Sequence, residues 1–169
     1  ENNPNLPRWE DSRSSSGFNY RMNEMQGAVG LAQLNKLDVV VRNQRKNAKL
    51  IVDAISDLPI EMRTIPENSF ETADALVFLV ENNTIAIQCR DALINEGLGT
   101  KILPEAISWH FAGTWDHMPE LINRNGVELY DAFPNSLSFL NRSVSLPISI
   151  NMVDDFESKI RNALTSVLI

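Results

Sequence analysis

With 169 residues, 43% of them hydrophobic and 22% charged, the chain has the make-up of one globular domain, or of a domain with an appended arm, and not of a collagen-like, coiled-coil or disordered protein. Its formal net charge of −7 is uneven, with 8 basic and 5 acidic side chains in residues 1–50 against 7 and 17 in residues 51–169, and an acidic surface disfavours a nucleic-acid partner. No apolar run reaches the roughly eighteen residues of a membrane span, the first residues lack the basic start and apolar run of a secretory leader, and the single cysteine, Cys89, can form no internal disulfide, so a cytoplasmic protein with no membrane partner is expected.

Residues 1–21 carry Pro4, Pro7, Gly17 and the run Ser14, Ser15, Ser16 with no period of 2 or 3.6, which predicts an extended loop. A start without Met in loop-like composition is expected of a piece of something longer. From Asn23 the pattern turns helical. Asn23 suits an N-cap and Gln26 the capping-box position, while Met25, Val29, Ala32 and, after a shift of phase, Leu34 recur at helical spacing, so a helix is expected over residues 23–37. Asp38 either caps a second helix or marks a bend, and Val41, Ala48, Ile51, Val52, Ile55 and Leu58 continue the apolar stripe until Pro59 stops it. Residues 22–58 thus read as a long helical arm, with Lys36, Arg42, Arg45, Lys46 and Lys49 as its solvated basic face. Gly27 and Gly30 each weaken a helix by about 1 kcal/mol relative to Ala, so the close approach of another backbone is expected there.

Beyond Pro59 strand and helix patterns alternate. Ile60, Met62, Thr64 and Ile65 suggest a short strand and Ala75 to Val80 a buried one; Asn83 or Thr84 then caps a helix through Ile85, Cys89, Leu93 and Ile94, ended by Gly97. A strand is expected near residues 100–103, short helices over 118–123 and 133–141, and a strand over 144–146 stopped by Pro147. Asn151, with Asp154 and Asp155 in the first turn, opens a last helix whose Val153, Phe156, Ile160, Leu164 and Val167 form one apolar face. Residues 59–169 therefore predict a small α/β domain, a three- or four-stranded sheet with helices largely on one face. His117 with Asp116 and Glu120 reads as solvated surface, so no metal is expected. Trp115 and Tyr130 read as core or lid aromatics, and Cys89 as a buried apolar residue with no histidine nearby in sequence to activate it.

The segment Gly17-Phe18-Asn19-Tyr20-Arg21-Met22-Asn23-Glu24-Met25-Gln26-Gly27-Ala28-Val29-Gly30, continuing to Asp38, closely resembles the region after the cofactor lysine in the DegT/StrS family of sugar aminotransferases. The helix bearing Arg45 and Lys46, the α/β region, and Arg142-Ser143-Val144-Ser145-Leu146-Pro147 before an acidic helix start come in the family's order. The resemblance implies the C-terminal small domain of an aspartate-aminotransferase-like (fold type I) enzyme that uses pyridoxal phosphate (PLP), preceded by a long helical arm. It further implies a homodimer that places an amino group, usually from glutamate, on a keto sugar, commonly nucleotide-linked, in polysaccharide or amino-sugar biosynthesis.

In that family the lysine that holds the cofactor, the aspartate at the pyridine nitrogen and most phosphate contacts lie in a large N-terminal domain, and no lysine of this sequence has the family's Ser-x-x-Lys context. The chain by itself is therefore expected to be inactive, with no catalytic residue of its own. The resemblance gives Asn19 a cofactor-binding role, as the side chain that reaches the PLP phosphate of the neighbouring subunit; a turn residue before a helix is its alternative reading. Arg21 either meets a sugar or phosphate anion or pairs with Glu24. Trp109 and His110 can stack on and hydrogen-bond a sugar ring, although the family's Pro-Leu-His pattern is missing around them and a packed loop histidine fits as well. A free-standing, non-catalytic α/β module that binds a sugar or a protein is the alternative.

Overall fold

A computed structural model describes residues 21–99, 103, 107–125 and 128–169. The expected loop at 1–21 lies outside these residues except for Arg21, and so does the strand expected near 100–103 except for Leu103, which is in a turn. Backbone contacts group the chain into Glu1–Leu37 and Asp38–Ile169.

The first unit contains helix α1, Glu24–Leu34. Its start is local chemistry: the Asn23 side chain accepts from the Gln26 backbone N–H at 2.8 Å, and the Gln26 side chain accepts from the Asn23 N–H at 2.9 Å, closing the expected capping box. The expected close neighbour of its glycines is not found among the described residues. A Cβ on Gly27 would meet only the Met22 sulfur, at 3.8 Å, and one on Gly30 nothing within 4 Å.

The second unit contains all but the first residue of α2, Leu37–Ile55, whose Ile51 and Ile55 are buried. That burial joins the second half of the expected helical arm to the α/β domain. Strand β1 is Glu61–Met62, β2 is Ala75–Leu79 and β3 is Ser143–Pro147, in the order β1-β2-β3, all antiparallel. The register sets Leu76 opposite Leu146 and Phe78 opposite Val144. Because side chains alternate across a strand, Leu76, Phe78 and Val80 share one face with Val144, Leu146 and Ile148. That face joins Ile51 and Ile55 of α2, Ala86, Cys89 and Leu93 of α3 (Asn83–Asn95) and Ile160 and Leu164 of α7 (Phe156–Leu168) in one core. The small sheet covered by helices is thus the expected architecture, with three strands.

Between these elements run α4 (Ile107–His110), which no periodicity in the sequence signals, a 3-10 turn at Ala112–Thr114, α5 (Pro119–Asn125), a second 3-10 turn at Leu129–Ala132 and α6 (Pro134–Asn141). Two helix ends show how backbone chemistry sets boundaries. The N-cap of α3 is Asn82, one residue before the expected start, its side chain accepting from the Ile85 N–H at 3.0 Å. At the other end Gly97 has φ +75, with Gly97 N–H donating to Ile94 and Leu98 N–H to Leu93, a Schellman ending that places the apolar Leu98 in the core.

Helix α7 begins at Phe156 and not at Asn151, because Asp155 sits at φ 56, outside helical geometry, and earlier backbone groups are bound locally: Ser149 N–H to Met152 Sδ at 3.4 Å and Asn151 N–H to Ser149 Oγ at 3.1 Å. Val153 accordingly lies before the helix and is exposed. Arg161 clasps the end of the α2 segment, donating to both Asp57 carboxylate oxygens at 2.6 and 2.8 Å and reaching the Ala54 carbonyl. This hydrogen-bonded guanidinium holds the Asp57 carboxyl well below its usual range, at about 2.

Candidate functional site

The residues singled out from the sequence fall in two places. Asn19 lies outside the described residues, and Arg21, just before α1, is exposed. Trp109 and His110 are neighbours on the single turn of α4, both exposed, Trp109 by 73%. An exposed indole beside an imidazole offers a flat apolar face and a hydrogen-bonding edge, the combination that takes hold of a sugar ring.

What holds that turn is an aromatic cluster apart from the main core. Phe111, the next residue, is 1% exposed, and its ring meets Tyr130 edge-on at 5.2 Å and Phe133 edge-on at 6.4 Å between centroids. Its N–H donates to the Ile107 carbonyl at 2.8 Å, which closes α4, and the Thr114 hydroxyl lies 2.9 Å from the Ser108 carbonyl and 2.8 Å from that of Phe111. Tyr130 therefore acts as a packing partner, as its sequence context suggested. Phe111, Gly113 and Phe133 were missed. The signal for them was a glycine between aromatics in an otherwise irregular segment.

The basic stretch on α2 is mostly solvated as expected, with one exception. Arg45 is half-buried, donates through Nε to the Glu71 carbonyl at 2.6 Å and lies 3.2 Å from the centre of the Phe70 ring, so it braces the loop before β2. Arg142 similarly bonds Glu61 at 3.2 and 3.3 Å across the sheet. Cys89 is fully buried and its thiol is pushed up to about 11, which removes it as a nucleophile near neutral pH. Asp116, His117 and Glu120 are exposed, and no group of three potential ligands capable of holding a metal occurs among the described residues.

The described residues do not by themselves fit a pyridoxal phosphate. Lys46, Lys49 and Lys159 ride on α2 and α7, Lys49 in an i,i+4 pair with Asp53 at 2.6 Å, and Lys36 is exposed between helices. A groove of about 420 Å3 beside the start of α7 is lined by Asn47, Met152, Asp154, Asp155 and Glu157 among others; its three carboxylates have the wrong sign for a phosphate. No described helix is long and apolar enough to cross a membrane.

Residues 4–165 match the profile of the DegT/DnrJ/EryC1/StrS aminotransferase family. The chain is 24% identical over 149 residues to GDP-perosamine synthase of Vibrio cholerae, covering 87% of this chain and 38% of that protein. Its fold is that of Helicobacter pylori PseC, an aminotransferase involved in the biosynthesis of pseudoaminic acid (TM-score 0.64, 18% identity, 96% of this chain and 42% of that one). It is also that of GDP-4-keto-6-deoxymannose-3-dehydratase crystallised with a trapped PLP-glutamate geminal diamine (TM-score 0.58, 19% identity, 96% and 41%). The chain thus spans about two fifths of the length of the proteins it matches.

Proposed function

Because the chain belongs to the DegT/DnrJ/EryC1/StrS aminotransferase family, we propose that it is the C-terminal part of a PLP-dependent enzyme that transfers an amino group from glutamate to a nucleotide-linked keto sugar. The observation that carries this reading is the match running almost end to end, from residue 4 to residue 165, on a small domain whose α4 turn presents Trp109 and His110 outward. In this reading Trp109 stacks on the sugar, His110 donates to or accepts from one of its hydroxyls, and Arg21 meets an anionic group of the substrate. The Asn19 amide donates to the cofactor phosphate in the partner subunit of a cytoplasmic homodimer. PLP supplies the electron sink for the chemistry, and the lysine that holds it belongs to a part of the enzyme outside this chain.

The complete enzyme, given glutamate and a nucleotide-linked keto sugar, should yield 2-oxoglutarate and a sugar that has gained nitrogen, read by mass spectrometry. A product that loses a hydroxyl without gaining nitrogen would place the chain with the dehydratases of its family. Asn19→Ala should weaken cofactor retention about tenfold, the scale of one hydrogen bond to a charged group. In mixed dimers the defect should appear in the neighbour's site, and a defect in the mutant's own site would sink the cross-subunit role. The chain by itself, mixed with PLP and borohydride, should show no stoichiometric adduct at any one lysine; such an adduct would overturn its dependence on the rest of the enzyme.

A further inference from the structure

A single helical turn does not hold its own shape in water, and α4 is four residues long. The segment that begins at Phe111 supplies contacts that fix its direction. The ring of Phe111 is clamped edge-on by Tyr130 and Phe133, and it lies over Gly113 so closely that a Cβ there would fall 2.3 and 2.5 Å from ring carbons Cε1 and Cζ and 2.9 Å from the Tyr130 Cα. Gly113 does not have the positive φ of Gly97, so space and not backbone conformation is what requires glycine. One residue on, the Thr114 hydroxyl sits between the carbonyls of Ser108 and Phe111, tying the residue before Trp109 to the residue after His110.

We infer that Gly113 and Thr114 are positioning residues for the sugar-facing side of the site: Gly113 leaves the volume that lets Phe111 pack, Thr114 fastens the Ser108 carbonyl, and together they set how α4 presents Trp109 and His110. The inference rests on the reading of Trp109 and His110 as sugar contacts. Gly113 and Thr114 themselves touch no substrate; both act through α4. Loss of the Thr114 hydroxyl, or gain of a methyl at Gly113, is therefore expected to act on sugar binding and not on the exchange with glutamate.

The test uses the complete enzyme labelled with 5-fluorotryptophan, the Trp109 resonance being the one lost in Trp109→Phe. Thr114→Val should shift that resonance and raise KM for the keto sugar up to about tenfold, the limit set by one hydrogen bond's net contribution, while the rate of the glutamate half-reaction stays unchanged. Thr114→Ser, which restores the hydroxyl, should return both to their original values. Gly113→Ala should have the larger effect in the same direction, and because it risks unfolding the segment, the valine and serine variants decide the matter. An unmoved Trp109 resonance and unchanged sugar KM in folded Thr114→Val would overturn the inference, as would equal losses in the sugar and glutamate steps. If instead Thr114→Val shifts the resonance but Trp109→Ala leaves sugar KM unchanged, the positioning of Trp109 stands and its assignment as a sugar contact falls.

Discussion

Two helices of similar length, α1 with 11 residues and α7 with 13, are built in opposite ways. Helix α1 has the better start, a complete capping box, yet buries no side chain and leaves Met25, Val29, Leu31 and Leu34 exposed. Helix α7 starts at a left-handed Asp155 that makes no side-chain cap bond, yet it puts Ile160, Ala163 and Leu164 into the core beside Phe78 and Leu93. The contrast separates two causes of helicity. A cap supplies about 1 kcal/mol and marks where a helix begins, whereas burying one large aliphatic side chain supplies about 1.5 to 3 kcal/mol and gives the helix a reason to persist. Helices shorter than about 12 to 15 residues are marginal on their own, so α1 is the element whose apolar side chains call for cover by another domain or a second subunit.

The largest expected effect tests that contrast directly. Leu164→Ala should destabilise the domain by about 3 to 5 kcal/mol, transfer and cavity terms together, whereas Leu31→Ala should change the stability of the 169-residue chain by no more than about 0.5 kcal/mol. Urea unfolding measures both, and similar losses would mean that α1 is already covered within the chain. A smaller pair of effects should differ in sign. Gly97→Ala forces a Cβ into the left-handed ending of α3 and should cost about 1 to 2 kcal/mol. Gly30→Ala, with nothing within 4 Å of the new methyl, should strengthen α1 by up to about 1 kcal/mol, seen as slower amide exchange. In the complete enzyme, proposed above to be a dimer, the same Gly30→Ala change should lose stability if a neighbouring backbone fills that space, which turns the glycines into a probe of what covers α1.

The smallest effect concerns the Arg161–Asp57 clasp, which joins α7 to the end of α2. The folded-state pKa of Asp57, about 2, lies below its ordinary 3.8, so the folded state favours the ionised carboxylate. The clasp's contribution is therefore full above about pH 4 and fades as pH falls toward 2. Both groups are solvent-facing, so the effect is small and weakened by salt. Asp57→Asn should lower the urea midpoint slightly at pH 5 and by a smaller amount near pH 2, where about half of the carboxylates are protonated; an equal shift at both values would show that packing, and not the ion pair, holds the joint.

Much of the fold was legible because its signals are short-range. Asn23 with Gln26, Gly97 at the end of α3, the Ala75 to Val80 run and Pro147 as the last residue of β3 all act within a few residues of themselves, and each marks the boundary it encodes to within a residue or two. The start of α7 was misread because Asn151 and Asp154 look like cap chemistry, while the deciding events are the left-handed turn at Asp155 and the local bonds of Ser149 and Asn151. At the site, the sequence marked Trp109 and His110 as a pair but not the Phe111, Tyr130 and Phe133 cluster behind them. Those rings are brought together across some twenty residues of irregular chain, and no periodicity carries information over such a span.

The sequence by itself determined the class of domain, the order of its elements, the capping box of α1, the glycine ending of α3 and the family to which the chain belongs, because hydrophobic period, caps and motif spacing depend on residues a few positions apart. Only the tertiary structure decided that α2 closes the core through Ile51 and Ile55, that Arg45 braces the Glu71 loop and Arg161 the end of α2, and that Gly113 is glycine to make room for a ring. Each of these depends on which distant group fills a given volume or meets a given donor, a matter of close packing and hydrogen-bond satisfaction settled only when the whole chain is folded.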